Sequence, residues 1–348
     1  MGNNICDVGL TDEKHETGDF DTGNKEERKK KFTVASFFAG VGGIDTGFEQ
    51  TGRFKTVYAN EYDRYPAETF EKNFGIKVDC RDIRNVCPEN IPDVDGYIFG
   101  FPCQAFSVAG YRMGFNDSKD RGNLFFEVMR LVHEKHPRFL FAENVKNLVT
   151  HDGGNTFRVI LDAFDKEGYQ YKYKVLNAME YGNVPQNRER IYIIGFREKE
   201  DFERFEFPAE IPLTCKLSDI IDFENKLPDK YYYTSGKYKG DIYERLVEAM
   251  DDPNAVYQWR RIYVRKNKSG VVPTLTANQG EGGHNVCLIK TPHGIRKMTP
   301  RECFNAQGFP KEFLLPEQAD SHLYKQAGNS VCVSVIKRIA ENIASAMD

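Results

Sequence analysis

Residues 33–48 read TVASFFAGVGGIDTGF: a strand, a turn carrying Gly40, Gly42 and Gly43, and the start of a helix. Glycines at such a turn let the backbone approach a ligand closely, with helix N–H groups nearby for polar or anionic atoms. Asp45 stands where the dinucleotide fingerprint G-x-G-x-x-G needs its third glycine. A plain tight turn would also explain the glycines, so the strand ends downstream decide the reading.

Two acids lie at those ends. Glu61 follows a strand at 56–60, where a carboxylate can accept from ribose hydroxyls. Asp82 follows a short strand at 77–79 and is placed to accept from an adenine amino group. A glycine turn, a Glu and an Asp at three successive strand ends read as a nucleoside site. Without pyrophosphate-type glycine spacing, S-adenosylmethionine is favoured over NAD.

Outward from there the chain alternates. Strands are predicted at 33–38, 56–60, 77–79, 94–99, 138–142, 171–176 and 190–196. Helices are predicted at 122–136 and 156–166, with Leu124, Val128, Leu131 and Val132 on one stripe of the first. Repeated β-α order predicts an α/β fold: a mostly parallel, Rossmann-like sheet with helices on both faces. The rhythm stops near Glu198, which predicts a smaller domain of strands and loops. An amphipathic helix at 334–347 needs a sheet to pack on, and that of the first domain is expected. The expected organisation is a disordered tail (1–31), a catalytic and cofactor-binding domain (32–197), a target-recognition domain (198–299) and a returning C-terminal segment (300–348).

The strand at 94–99 runs into Gly100-Phe-Pro-Cys-Gln-Ala-Phe-Ser107. Gly and Pro place Cys103 in a fixed turn at a sheet edge, where α/β proteins carry chemistry. Glu143, after the 138–142 strand, is expected at the same edge, and a semi-buried carboxyl can stay protonated at neutral pH. Arg188 and Arg190 lead into the last strand and add two cations there, which favours thiolate at Cys103. Salt bridges from these arginines to Glu189 or Glu143 are compatible with that role.

The 348 residues carry a net charge of −4, which argues against a nucleic-acid binder until it is resolved along the chain. Between 256 and 301 nine basic residues face one acid, Glu281, and are interleaved with Tyr257, Trp259 and Tyr263. That pattern suits contact with a polyanion. The eight cysteines contain no C-x-x-C pair, so neither a zinc site nor a disulfide framework is expected, and a reducing interior fits. His133 and His136 sit at the end of a helix without a third ligand, which suits the helix dipole better than a metal. With no long apolar run and no signal pattern, the expected location is the cytoplasm, with no membrane contact.

Six blocks in order carry a resemblance: FAGVGG at 38–43, GFPCQAFS at 100–107, ENVKN at 143–147, QNRER at 186–190, RKMTPRECFNAQGFP at 296–310 and QAGNSV at 326–331. The chain resembles DNA (cytosine-5)-methyltransferases of the bacterial restriction–modification type from about residue 32 to its end. The tail and most of 198–270 fall outside the matching blocks.

The resemblance implies Cys103 as the nucleophile on C6 of a flipped-out cytosine in double-stranded DNA. Glu143 would serve N3, Arg190 the cytosine O2, and Arg188 the phosphate or loop nearby. S-adenosylmethionine would be the cofactor, surrounded by Phe38, Gly40, Gly42, Gly43, Glu61, Tyr62, Asp82, Pro102, Asn123, Leu124, Asn329 and Ser330. Tyr62 takes a place often held by Trp, which preserves stacking. DNA would meet Gln104 and Ser107 from a loop over 104–123, and Arg260, Arg261, Arg265, Thr274, Gln279, Glu281 and His284 from the second domain. Arg to guanine and Glu to the cytosine amino group are the natural pairings, and a short G·C-rich palindrome is the expected target. A monomer is expected, with a cognate restriction endonuclease, where one exists, acting independently. The competing class is a transfer-RNA cytosine-5 methyltransferase, disfavoured by Phe-Pro-Cys in place of Pro-Pro-Cys, by the missing Cys-Phe-Thr signature and by the long variable segment.

Overall fold

The computed structural model describes residues 30–102, 124–238, 240–267, 270–279 and 285–348. Strand β1 (Phe32–Phe37) lies between β2 (Phe54–Asn60) and β3 (Gly96–Gly100), parallel to both. Next to β3 runs β4 (Phe139–Val145), again parallel. With β5 (Gln170–Asn177) and β6 (Glu189–Phe196) they form a six-stranded sheet in the order β2-β1-β3-β4-β6-β5. Strand β6 is antiparallel to both its neighbours. The connection at 178–188 is too short for a parallel crossover, which takes about a dozen residues or more.

Helices cover both faces of this sheet, as its mostly buried central strands β1, β3, β4 and β6 require. On one face α1 (Gly43–Glu49) packs with the C-terminal helix, bringing Phe48 together with Ile336, Ile339 and Ile343 over Val34, Ile98 and Phe141. A Cβ on Gly47 would lie 2.6 Å from Ile336, so the absent side chain sets how closely the two helices approach. On the other face α3 (Leu124–Lys135) and α4 (Asn155–Lys166) lay Val128, Leu131, Ile160 and Phe164 over Phe37, Phe99 and Ile193. Helix α2 (Arg64–Phe74) follows β2 and is capped by Asp63.

One predicted strand is corrected. At 77–79 only Asp79 forms a bridge, to Asn60. Two backbone bonds, Asp79 N–H to Ala59 O (2.8 Å) and Glu61 N–H to Asp79 O (3.2 Å), make the bridge, and the Asn60 amide adds bonds to Asp79 O and Arg81 O, both at 2.8 Å, where a longer ladder was expected.

A second, four-stranded sheet lies within 257–297, in the order β10-β9-β7-β8. Its strands are β7 (Tyr257–Arg260), β8 (Tyr263–Lys266), β9 (Cys287–Thr291) and β10 (Gly294–Lys297), all antiparallel. Residues 272–277 form a strap outside it, and Val272-Pro273 pairs in parallel with Gln186-Asn187. The chain then returns through α5 (Asp320–Asn329) and α6 (Val333–Met347), the latter being the helix seated on α1. Among the described residues no helix is long and apolar enough to cross a membrane.

Candidate active site and nucleic-acid cleft

Glu143 lies within β4, since the strand runs on to Val145, and pairs in register with Gly100 at the end of β3. Its carboxyl is 8% exposed, and Arg190 Nε lies 3.1 Å from its Oε1. Burial pushes the Glu143 carboxyl above the usual carboxylate range, against the pull of Arg190 and Arg188. The next residue, Asn144, donates from Nδ2 to the Phe101 carbonyl at 2.8 Å and accepts the Val145 N–H. That bond fixes the chain two residues before Cys103. Cys103 itself, with Gln104, Ser107, Asn123, Glu281 and His284, lies outside the described residues.

The glycine turn is held by Glu61. Its Oε2 accepts the Gly40 N–H at 2.9 Å and its Oε1 the Asp63 N–H at 2.8 Å. Burial raises this carboxyl too, opposed by those two N–H groups. Phe38 and Gly40 both have positive φ, 51° and 55°, so the turn is sharp and Phe38 adopts a conformation that side chains rarely take. Close approach explains the other glycines: a Cβ at Gly42 would lie 2.3 Å from Phe74, and one at Gly43 would lie 2.3 Å from Ser330 Oγ. Ser330 Oγ is buried and has no hydrogen-bond partner among the described residues. A narrow turn with an unsatisfied hydroxyl beside it fits a polar ligand such as S-adenosylmethionine.

The other cofactor candidates surround this turn unevenly. Tyr62 is 73% exposed, leaving its ring free to stack. Asp82 caps the turn at Ile83–Asn85 by accepting from Arg84 N, and its ion pair with Arg84 holds it below the usual range. Pro102 is exposed and Leu124 opens α3 half-buried. Asn329 is exposed and lines a cleft beside Thr276 and Ala277.

That cleft, of about 670 Å³, runs between the large sheet and the strap. Lys146, Arg190, Arg260 and Arg265 contribute cations, and Thr274 and Asn329 contribute polar edges. Pairing alternates along the hairpin, so Gln258, Arg260 and Arg265 share the cleft side while Trp259 and Val264 pack inward. Arg261 occupies the hairpin turn with φ 62°. Thr274 donates from Oγ1 to Asn187 O at 2.7 Å, which anchors the strap.

Two further expectations are corrected. Gln279 is 1% exposed. With its amide turned to suit its neighbours, it donates to Asn285 O at 2.7 Å and accepts from Cys287 N at 2.6 Å. It therefore braces the recognition segment and does not present its amide to DNA. Arg188 is 3% exposed, and its guanidinium donates to the carbonyls of Leu275 (2.9 Å), Gly328 (3.2 Å) and Ser330 (2.5 Å). Burial, with Arg190 close by, lowers its pKa to about 9. Arg188 thus holds backbone together, and Arg190 alone of the pair reaches Glu143.

Sequence reading missed Gln186, Lys146 and Asp45. Gln186 donates to Ala306 O and Gln307 Oε1 and accepts the Leu275 N–H. Asp45 is fully buried, accepts from Ser36 Oγ (2.9 Å) and Thr56 Oγ1 (3.0 Å), and is pushed up to about 7 by burial. Its only signal was that it displaced a glycine.

Comparison with known proteins identifies the family and the fold. The family described as C-5 cytosine-specific DNA methylase matches residues 32–345. The type II methyltransferase M.Bsp6I of Bacillus sp. (strain RFL6) is 60% identical over 314 residues, 90% of this chain and 99% of that protein. M.HhaI of Haemophilus parahaemolyticus, also a type II methyltransferase, is 38% identical over 340 residues, 93% and 98% of the two chains. In fold, a variant of Spodoptera frugiperda DNMT2 superposes with a TM-score of 0.69 at 18% identity, covering 90% of this chain and 99% of that one. The chain belongs to the C-5 cytosine-specific DNA methylase family and is a DNA (cytosine-5)-methyltransferase.

Proposed function

We propose that the protein methylates C5 of a flipped-out cytosine within a short double-stranded DNA sequence through a covalent adduct at Cys103. The observation that carries this reading is the buried Glu143–Arg190 pair, in register with Gly100 three residues before the thiol. Cys103 Sγ forms a bond to C6 of the ring, and the displaced electron pair moves toward C5. Glu143, whose carboxyl burial raises above the usual range, gives a hydrogen bond or its proton to N3 and takes that proton back once C5 is methylated, while Arg190 holds O2. When bound, S-adenosylmethionine would offer its sulfonium methyl to C5, with the S–CH3 bond breaking and the neutral thioether S-adenosylhomocysteine leaving. Loss of the C5 proton to solvent then returns the pair that breaks the S–C6 bond and frees the thiolate. Covalent catalysis of this kind makes a poorly nucleophilic ring carbon reactive.

Phe38, the glycine turn, Glu61, Tyr62, Asp82 and Ser330 would hold the cofactor. Residues 198–299 would act as the target-recognition segment, with Arg260, Arg261, Arg265 and Thr274 meeting DNA, and a base reached by a thiol at a sheet edge must leave its stack. The likeness to type II methyltransferases supports a role as the modification half of a restriction–modification pair. A soluble monomer in the cytoplasm is the setting we infer.

The test is bisulfite mapping of DNA treated with the protein and S-adenosylmethionine, together with trapping on duplexes carrying 5-fluorocytosine. A covalent complex is expected from the wild type and none from Cys103→Ser, which should still bind duplex. Full methyl transfer by that variant would overturn the mechanism.

A further inference from the structure

Three of the six buried side-chain polar atoms without a partner among the described residues gather at one junction: Arg188 Nε, Thr276 Oγ1 and Ser330 Oγ. Buried polar groups are nearly always satisfied, so such a cluster calls for a physical reason. Ser330 Oγ faces the glycine turn at Gly43, and Thr276 lines the basic cleft. Arg188 joins the two, with Nη1 on Leu275 O of the strap and Nη2 on Gly328 O and Ser330 O at the end of α5. The approach is tight: a Cβ on Gly328 would fall 2.1 Å from the Thr276 carbonyl. Gln307 ties the same turn from behind through Ala327 O at 2.7 Å.

We propose that Arg188 is a positioning residue that couples occupancy of the glycine-turn pocket to seating of the 272–277 strap on duplex DNA. The proposal rests on the functional reading above for the identity of the two ligands. A ligand that satisfies Ser330 Oγ fixes the Ser330 carbonyl, hence the guanidinium plane, hence the Leu275 carbonyl and the strap. By linkage the same bonds act in reverse, so DNA bound to the strap tightens the pocket by an equal factor.

The experiment is calorimetric titration of S-adenosylhomocysteine, a non-reacting cofactor product, with and without a duplex carrying the mapped target sequence. The wild type is expected to bind it about ten-fold more tightly with duplex present, within the usual range of coupling between sites. In Arg188→Lys, which keeps the charge but loses the planar fork, the ratio should fall toward one. A merely structural role would lower thermal stability and leave the ratio intact. Gly328→Ala, which displaces the Thr276 carbonyl, and Thr276→Val provide the same reading if Arg188→Lys does not fold, and both should lower the ratio. A ratio of one in the wild type, or an undiminished ratio in the folded variants, overturns the coupling. The wild type's methyl transfer to DNA is scored separately, so loss of the coupling with transfer intact leaves the proposed function standing.

Discussion

Arg190 Nε stands 3.1 Å from Glu143 Oε1, and the two side chains come from antiparallel neighbours in the sheet. The register sets Val145 opposite Arg190 and Glu143 opposite Tyr192, so the contact spans a diagonal of the ladder. Burial favours the neutral carboxyl and the guanidinium favours the charged one. Burial prevails, so the carboxyl holds its proton to higher pH than an ordinary glutamate.

Glu143→Gln keeps the size of the side chain and removes that proton. Methyl transfer should fall by about 10²- to 10⁴-fold, the usual worth of a positioned general acid, with duplex affinity retained. In the wild type, kcat should decline as pH rises through the elevated pKa of Glu143, and the variant's residual rate should lack that limb. Steady-state rates across pH with tritiated methyl donor would show a wild-type profile in the variant if Glu143 were only structural.

Asp45 makes a separate, sign-specific prediction for stability. Its folded value of about 7 lies above the ordinary 3.8, so between these values the native state keeps a proton that the unfolded chain releases. Stability contributed by this group therefore declines as pH rises from 3.8 toward about 7 and levels off above. Asp45→Asn removes the titration and should flatten that part of the profile, raising stability relative to wild type above neutral pH. Urea unfolding at a series of pH values measures it, and an unchanged slope would exclude Asp45 as the source.

Gly47→Ala puts a methyl 2.6 Å from Ile336 and 2.9 Å from Val333 O. Helices α1 and α6 must then separate, at about 1–3 kcal/mol, as overpacked cores show. Denaturant midpoints would register the loss, and a neutral result would mean that α6 is free to shift.

Arg265 faces the basic cleft with Arg260 and Arg190. If it meets phosphate, Arg265→Ala weakens duplex binding by a similar factor for all sequences and reduces the salt slope of log K by about one. Binding isotherms at several salt concentrations decide this. An unchanged slope with altered sequence preference would make Arg265 a base reader instead.

The alternating β-α order, the glycine turn and the strand-end acids were legible because each depends on short-range patterns: apolar periodicity, turn chemistry, a run of six blocks. Glu143 and Arg190 were likewise placed correctly at one edge, since adjacent strand ends must converge there. The roles of Arg188 and Gln279 were not legible. Arg188 finds its acceptors 87, 140 and 142 residues away, and nothing local distinguishes it from Arg190 two positions on. Gln279 is spent on Asn285 and Cys287, partners that only the returning strand supplies. The direction of β6 and the cation of Lys146 in the cleft belong to the same class. Sequence by itself determined the family and the strand ends on which the proposed chemistry rests. Tertiary structure alone decided which buried polar groups bond to backbone and which are left without a partner among the described residues, because desolvated donors take whatever acceptors the fold brings within about 3 Å.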